Sequence, residues 1–257
     1  HASLMRLSAM TCVAILAMAG CAVSPTAQPP AGEVAAFSSN WAGRGTPAGW
    51  QPWLINRSKA PTRYELVVDP VRDQVVLHAL ANKAASGLAQ SLDVDPLLRP
   101  RLAWHWRIAR LVDGADNTDP YAEDSPARLM LFFDGDKSTL PFKEQVLIDT
   151  AKMLTGQDVP YATLVYVWEN QQPVGTVIPN AHTRQVKMVV AGSGADRLGQ
   201  WQRFERDYRA DYRQAFGADP GRLVGVGILT DTDNTGASTE AWYGDIELLP
   251  RRPAATH

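Results

Sequence analysis

Cysteine is nearly absent from this sequence. The chain has 257 residues and two cysteines, Cys12 and Cys21, and both lie close to its amino terminus. The rest of the chain has no thiol that could form a disulfide, act as a nucleophile or bind zinc. We therefore expect a domain that is stabilised by its hydrophobic core.

The sequence also lacks the common signatures of catalytic and nucleotide-binding sites. It has no phosphate-binding glycine-rich loop, no G-x-S-x-G sequence and no H-E-x-x-H sequence. The five histidines stand at positions 1, 78, 105, 182 and 257, which are too scattered for a recognisable metal-binding motif. We expect no cofactor, with calcium as the one alternative.

No block of basic residues is present. Lys and Arg number 25 against 27 Asp and Glu, which is a net charge of −2. If a leader that contains Arg6 is removed, 24 basic residues face 27 acidic ones, and the net charge becomes −3. Nucleic acid is therefore not an expected partner.

The amino-terminal segment has the layout of a secretory signal peptide. Arg6 precedes an apolar stretch over residues 9–19, which is too short to span a membrane as a helix. The ending AMAGC resembles a bacterial lipobox, which predicts lipidation of Cys21 and anchoring in the bacterial envelope. Ala22 stands where an Asp would often retain a lipoprotein on the inner membrane, so we expect the outer membrane, facing the periplasm. The alternative is a soluble exported protein that is cleaved nearby.

The composition divides the chain into four segments. Residues 1–21 form the predicted signal peptide, and residues 22–36, rich in Pro and Ala, are predicted to be a flexible tether. Residues 37–250 have a length that fits one β-sandwich domain better than two small domains. Residues 251–257 are expected to form a disordered tail.

Eight segments of the domain have the composition of strands. They are rich in β-branched or aromatic residues and are bounded by Gly, Pro, Asn or Asp. The predicted strands are 64–69, 74–81, 102–111, 127–134, 162–169, 184–191, 222–230 and 241–249.

Two other segments have helical spacing. Residues 142–156 place apolar side chains on one face and end at Gly156, and residues 206–217 place Tyr208, Tyr212 and Phe216 four residues apart. Strands and helices do not alternate as in βαβ units. The sequence therefore predicts a mainly β fold, an antiparallel β-sandwich of jelly-roll type with two short helices in connections.

Tryptophans suggest a ligand-binding surface. Two of them share one face of a predicted strand, and a third ends another strand beside a Glu and an Asn. Exposed indole rings stack on the apolar faces of sugars, whereas the alternative is that these rings fill the core. Arginines near the same strands complete the candidate set. The candidate ligand-binding residues are Trp104, Trp106, Arg107, Arg128, Trp168, Glu169 and Asn170.

Two carboxylates lie one helical turn apart in the second predicted helix. Asp207 and Asp211 are interleaved with arginines. Paired carboxylates can perform acid–base chemistry on a glycoside, which makes them the alternative catalytic pair. A salt-bridged surface or a buried Arg–Asp link that joins the helix to the sheet would explain the same pattern.

The sequence DTDNTG follows the strand at 222–230. Asp231, Asp233 and Gly236 match the first, third and sixth positions of an EF-hand loop, but Trp242 stands where a bidentate Glu is needed. An EF-hand is therefore excluded, and a turn in which side chains cap the backbone is favoured. The alternative is a calcium site of another geometry. Its candidate ligands are Asp231, Asp233, Asn234 and Glu240.

Several of these sequences together resemble a known family. The segments WHWRI, EDSPARLMLFF, YVW, RDYRADYRQAFG and ILTDTDNTG…AWYGDI are similar to the uncharacterised bacterial family called domain of unknown function 3047, over residues 37–249. The resemblance implies a β-sandwich like those of carbohydrate-binding modules, and it assigns no role to any residue. The motif positions are Trp104, Trp106, Arg107, Asp124, Arg128, Trp168, Asp207, Asp211, Asp231, Asp233 and Asn234.

These observations favour an exported lipoprotein that acts by binding a glycan or another envelope component. It would contact the membrane through its lipid anchor only. A glycan hydrolase or lyase that uses Asp or Glu residues is the first alternative. A structural envelope protein with a protein partner is the second.

Overall fold

Strands dominate the secondary structure. The structure is a computed structural model, and it describes residues 29–30, 32–43, 45–55 and 57–255. The predicted signal peptide and Cys21 lie outside the described residues. Within those residues, neither helix has the length and apolar character needed to cross a membrane.

In chain order the strands are β1 (Gln51–Trp53), β2 (Arg63–Asp69), β3 (Gln74–Asn82), β4 (Ala85–Val94), β5 (Arg101–Ile108), β6 (Ser125–Phe133), β7 (Ala162–Glu169), β8 (Val177–Pro179), β9 (Val186–Ser193), β10 (Gln202–Asp207), β11 (Leu223–Asp231) and β12 (Ser238–Leu249).

The strands form two sheets that pack face to face, so the predicted mainly β sandwich is confirmed. The larger sheet has the order β1-β4-β11-β6-β7-β9-β8, and the smaller has the order β10-β5-β12-β3-β2. All neighbouring strands are antiparallel except β7 and β9. That pair is parallel because β8 runs back along the edge of the sheet before the chain returns in β9.

Four strands were not predicted, namely β1, β4, β8 and β10. The sequence of β4, ASGLAQSLDV, is poor in β-branched residues, yet β4 lies between β1 and β11 and pairs with both. Pairing on both edges satisfies its backbone hydrogen-bonding groups, and this outweighs its weak intrinsic preference. Strands β1 and β8 are three residues long, too short for a periodic pattern.

Both predicted helices are confirmed. Helix α1 (Phe142–Thr155) and helix α2 (Tyr208–Phe216) each end at a glycine with left-handed backbone angles, Gly156 and Gly217. Helix α2 begins two residues later than predicted because residues 206 and 207 complete β10. Helix α1 is tied to the loop that precedes β9, since Glu144 accepts hydrogen bonds from Thr183 Oγ1 (2.6 Å) and from the Arg184 backbone N–H (3.1 Å).

Candidate functional site

Trp104 and Trp106 lie between the two sheets and are fully buried. The Trp104 ring centroid is 5.2 Å from that of Phe204 and 5.0 Å from that of Tyr166. These contacts correct the expectation of a sugar-stacking platform. The indoles fill the core, as the packing alternative has it, because their face of β5 is covered by the larger sheet.

The cluster at the end of β7 is also internal. Trp168 is buried, and its Nε1 donates to the Gly194 carbonyl at 3.2 Å. Glu169 is 1 % exposed and accepts a hydrogen bond from the Asn117 backbone N–H at 3.0 Å, while Asn170 Nδ2 donates to backbone carbonyls of the same loop. Glu169 and Asn170 hold the loop after β5 against β7, whereas Trp168 holds the residues after β9. These hydrogen bonds keep all three side chains engaged within the protein.

Arg107 lies on the outer face of the smaller sheet. Its Cζ is 4.0 Å from the centre of the Trp242 ring and 5.6 Å from that of Trp201, which are cation–π distances. Its Nη2 is 3.6 Å from Asp69 Oδ1. The guanidinium therefore bridges two partly exposed tryptophans, away from the other predicted site residues.

Asp207 and Asp211 do not form a catalytic pair. Asp207 caps α2 by accepting a hydrogen bond from the Ala210 backbone N–H at 2.8 Å. Asp211 accepts two hydrogen bonds from Arg206, at 2.8 and 2.7 Å, and one from the Tyr166 hydroxyl at 2.6 Å. This is the Arg–Asp link between helix and sheet that the sequence offered as an alternative, and it leaves Asp211 buried and engaged.

A cleft of about 530 Å³ opens on the outer face of the larger sheet. Its floor is apolar and is supplied by outward-facing side chains of four neighbouring strands. These are Met130 of β6, Val165 of β7, Met188 of β9 and Leu229 of β11. Gly227 lies beside Met130, and a Cβ there would come within 3.0 Å of the Met130 methyl group, so glycine leaves room at the floor.

Three segments wall the cleft. Residues 53–55 line one side, and the end of α1 with residues 157–160 lines another. Asn180 and His182 stand at the rim beside β9. Trp53 is partly exposed and packs edge-on against Phe132, with ring centroids 5.4 Å apart, while Leu54 and Ile55 are 41 % and 42 % exposed.

One end of the cleft carries charge. Arg128 is buried, donates from Nε to Asp231 Oδ1 at 3.1 Å and from Nη2 to Asn117 Oδ1 at 3.0 Å, and lies 3.7 Å from Glu123 Oε1. Burial raises the pKa of Asp231 to about 7, because lost hydration outweighs the attraction of the Arg128 guanidinium. Arg128, a candidate ligand-binding residue, thus lines the cleft and is also paired inside the protein.

The DTDNTG loop is held by a carboxylate from another loop. Asp124 accepts hydrogen bonds from the backbone N–H groups of Asn234 (3.2 Å) and Thr235 (2.7 Å) and from the Thr235 hydroxyl (2.7 Å). Asp233 forms an ion pair with Lys59 at 3.2 Å. Asp124 was a motif position without a role, and the structure shows that it fastens this loop.

The predicted calcium ligands do not come together as one set. Glu240 is bound to His78 and Arg110 on the smaller sheet, and the Asn234 side-chain amide donates to the Pro120 carbonyl. Oxygens of Asp124, Asp231 and Asp233 do lie within 4.8 Å of one another. However, N–H donors and the Arg128 guanidinium already satisfy Asp124 and Asp231, which fits the turn interpretation rather than a cation site.

The apolar floor of the cleft was not predicted from the sequence. In the middle of β6 and β7 the outward-facing residues Met130, Phe132, Val165 and Val167 are apolar, like the inward-facing ones, so this part of the two strands shows no clean alternation. A strand that is apolar on both faces indicates that both faces are covered, and this was the available signal.

Comparisons with known proteins give one matching family and two similar solved structures. A family described as "Protein of unknown function (DUF3047)" matches residues 48–247. No curated protein matches the chain. A family 12 xyloglucanase from Bacillus licheniformis is similar at a TM-score of 0.42 and 6 % identity, over 82 % of this chain and 96 % of that one. The endo-1,4-β-glucanase CelB2 is similar at a TM-score of 0.39 and 12 % identity, over 77 % of this chain and 90 % of that one.

Proposed function

The chain belongs to the DUF3047 family of proteins of unknown function, and we propose that it is an exported envelope protein that binds a glycan or another envelope component in its cleft. The observation that carries the proposal is the cleft on the outer face of the larger sheet. Its volume of about 530 Å³ lies in the range of small-molecule sites. A purely structural protein would be expected to have an apolar patch without a groove.

The lining suits a ligand with apolar faces and polar edges. Aliphatic floor residues favour contact with C–H groups, and polar side chains at the two ends are placed to orient hydroxyl or amide groups. Lys59 and Asn234 stand at one end, and Asp158 and Thr163 stand at the other. Sugar rings have this combination of apolar faces and hydroxyl edges.

We expect the double variant Leu54→Ala/Ile55→Ala to bind its ligand at least about tenfold more weakly, since each half-exposed side chain contributes about 1 kcal/mol when a ligand covers it. The ligand is identified by screening the purified chain against a glycan array and envelope amphiphiles, and affinity is then measured by calorimetry. Val71→Ala/Val174→Ala, on exposed residues outside the cleft, is the matched control. Equal affinity of both double variants and the parent would reject the cleft as the binding site.

Hydrolysis at the same cleft is a second candidate function. Asp231 and Asp233 both line the cleft, and a carboxylate oxygen of one lies within 4.8 Å of a carboxylate oxygen of the other. This distance is near the separation of about 5–5.5 Å between the two catalytic carboxyl groups of retaining glycosidases. The raised pKa of Asp231 suits a proton donor near neutral pH. Binding is supported better because Arg128 and the Ser125 backbone N–H engage Asp231. Release of reducing ends from the bound glycan, abolished by Asp233→Asn, would establish hydrolysis.

The proposed location rests on the sequence around Cys21. If Cys21 is lipidated, metabolic labelling with a fatty acid should mark the parent chain, and Cys21→Ser should abolish both the label and membrane retention. Cys12→Ser is the control, because Cys12 lies inside the predicted leader. Persistent labelling of the Cys21→Ser protein would contradict the proposal.

A further inference from the structure

Arginines surround a second concavity, of about 470 Å³, at the end of the smaller sheet where β5 begins and β12 ends. This end is opposite to the DTDNTG loop, because β12 starts beside that loop and runs its full length away from it. Two acidic residues, Glu205 and Asp207, share the lining. The arginines are Arg101, Arg206, Arg209, Arg251 and Arg252.

The concavity carries an excess of positive charge. Glu205 is a single carboxylate that pairs with three guanidinium groups, those of Arg252, Arg203 and Arg101. Hydrogen bonds from these groups lower the pKa of Glu205 to about 2, so it stays ionised. Arg206 and Arg209 pair with Asp211 and Asp219. With Arg203 and Asp207 included, six arginines face four carboxylates, and 6 − 4 leaves two positive charges in excess. The whole chain is net negative, so this end differs in sign from the rest of the molecule.

Arg251 and Arg252 keep most of their donors available. Arg251 donates one N–H to the Leu97 carbonyl, and across residues 57–255 no carboxylate lies within 4.0 Å of its guanidinium. Arg252 is 74 % exposed and donates to Glu205 from one nitrogen. A guanidinium has five N–H groups in a planar fork that matches two oxygens of a phosphate.

The chain from the proposed lipid anchor enters the domain at this same end. Arg99 Nη1 donates to the Gly32 carbonyl at 3.5 Å, and Arg99 is followed directly by Pro100 and Arg101 of the concavity. Gly32 is 32 − 21 = 11 residues after Cys21. An extended segment of that length spans at most about 40 Å, so an acylated Cys21 would hold Gly32 within that distance of the bilayer and leave the arginines able to reach it.

We infer that the arginine concavity binds the phosphate groups of anionic lipid headgroups in the membrane that holds the chain. The inference rests on the proposed lipid anchor, adds a second membrane contact to the anchor-only contact expected from the sequence, and is independent of ligand binding in the cleft. Several arginines near an anionic surface act together, each adding a short-range attraction that salt weakens. The contact would orient the domain, with its arginine end towards the bilayer and the DTDNTG end away from it.

The test uses the full chain with Cys21→Ser, so that acylation plays no part. Sedimentation gives its affinity for phosphatidylcholine vesicles with and without phosphatidylglycerol. The apolar residues 9–19 can bind both vesicle types. The readout is therefore the ratio of the affinity for vesicles with phosphatidylglycerol to the affinity for vesicles without it. We expect Arg251→Gln/Arg252→Gln to lower this ratio about twenty-five-fold, at about fivefold per arginine.

Arg63→Gln/Arg110→Gln is the matched control, because it removes the same charge from exposed positions at the opposite end. The control variant should keep the ratio within about twofold of the parent's value, since the attraction between a charge and the anionic surface falls off within a Debye length. An equal loss in both double variants would overturn the inference in favour of a net-charge effect. Binding of inorganic pyrophosphate without any preference for anionic vesicles would overturn it in favour of a soluble anion.

Discussion

Arg128→Ala should lower the free energy of unfolding by about 3–5 kcal/mol, the scale for removing one partner of a buried ion pair. Asp231 would stay buried without the guanidinium that donates to it at 3.1 Å. The Asn117 side-chain oxygen and the Glu123 carbonyl would lose a donor as well. Urea denaturation of the purified variant gives the change directly.

A double substitution separates the pair from the packing around it. Arg128→Met/Asp231→Leu removes both charges and should recover much of the loss, since apolar replacement of a buried pair is often neutral. Arg63→Ala is the control, because Arg63 is exposed and pairs with Glu65 at the surface. A loss for Arg128→Ala no larger than that for Arg63→Ala would show that the pair is not buried.

Tyr212→Ala should destabilise the protein by about 3–5 kcal/mol, because it removes a buried aromatic ring. Tyr212 is 3 % exposed, and its ring centroid is 4.7 Å from that of Phe133 and 4.4 Å from that of Phe216. Its loss would leave a cavity between α2 and the larger sheet. The denaturant midpoint is the measurement, and an unchanged midpoint would contradict the packing described above.

Asp207→Asn, at the start of the same helix, is the comparison variant for Tyr212→Ala. Asp207 caps α2, and Asn is as good a cap as Asp, so this change should cost only a few tenths of a kcal/mol. Asp207→Ala removes the cap and should cost about 1 kcal/mol. A large loss for Asp207→Asn would mean that its charge, rather than its capping oxygen, stabilises the fold.

Local sequence signals predicted most of the scaffold. Eight strands follow from runs of β-branched and aromatic residues, and α2 follows from Tyr208, Tyr212 and the glycine after Phe216. Such signals act between residues close in sequence and depend little on the rest of the fold. β4 could not be predicted in this way, because its strand conformation depends on pairing with β1 and β11.

The sequence identified individual residues of the candidate site but not how they are arranged. Arg128 and Asp231 were each singled out by sequence, but they are 103 residues apart, and nothing local indicates that they pair. Trp104 and Trp106 were correctly placed on one face of a strand. Alternation along a strand shows which side chains share a face, but it does not show whether that face meets water or another sheet.

The sequence by itself determined that the domain is mainly β, that it has two helices ending at Gly156 and Gly217, and that no thiol stabilises it. The tertiary structure alone decided that Trp104, Trp106 and Trp168 are internal, that Asp124 fastens the DTDNTG loop, and that a cleft opens on the larger sheet. The physical reason is that strand and helix preferences arise from neighbouring residues. Burial, ion pairing and concavity arise from contacts between strands that are distant in sequence and meet only when the two sheets pack.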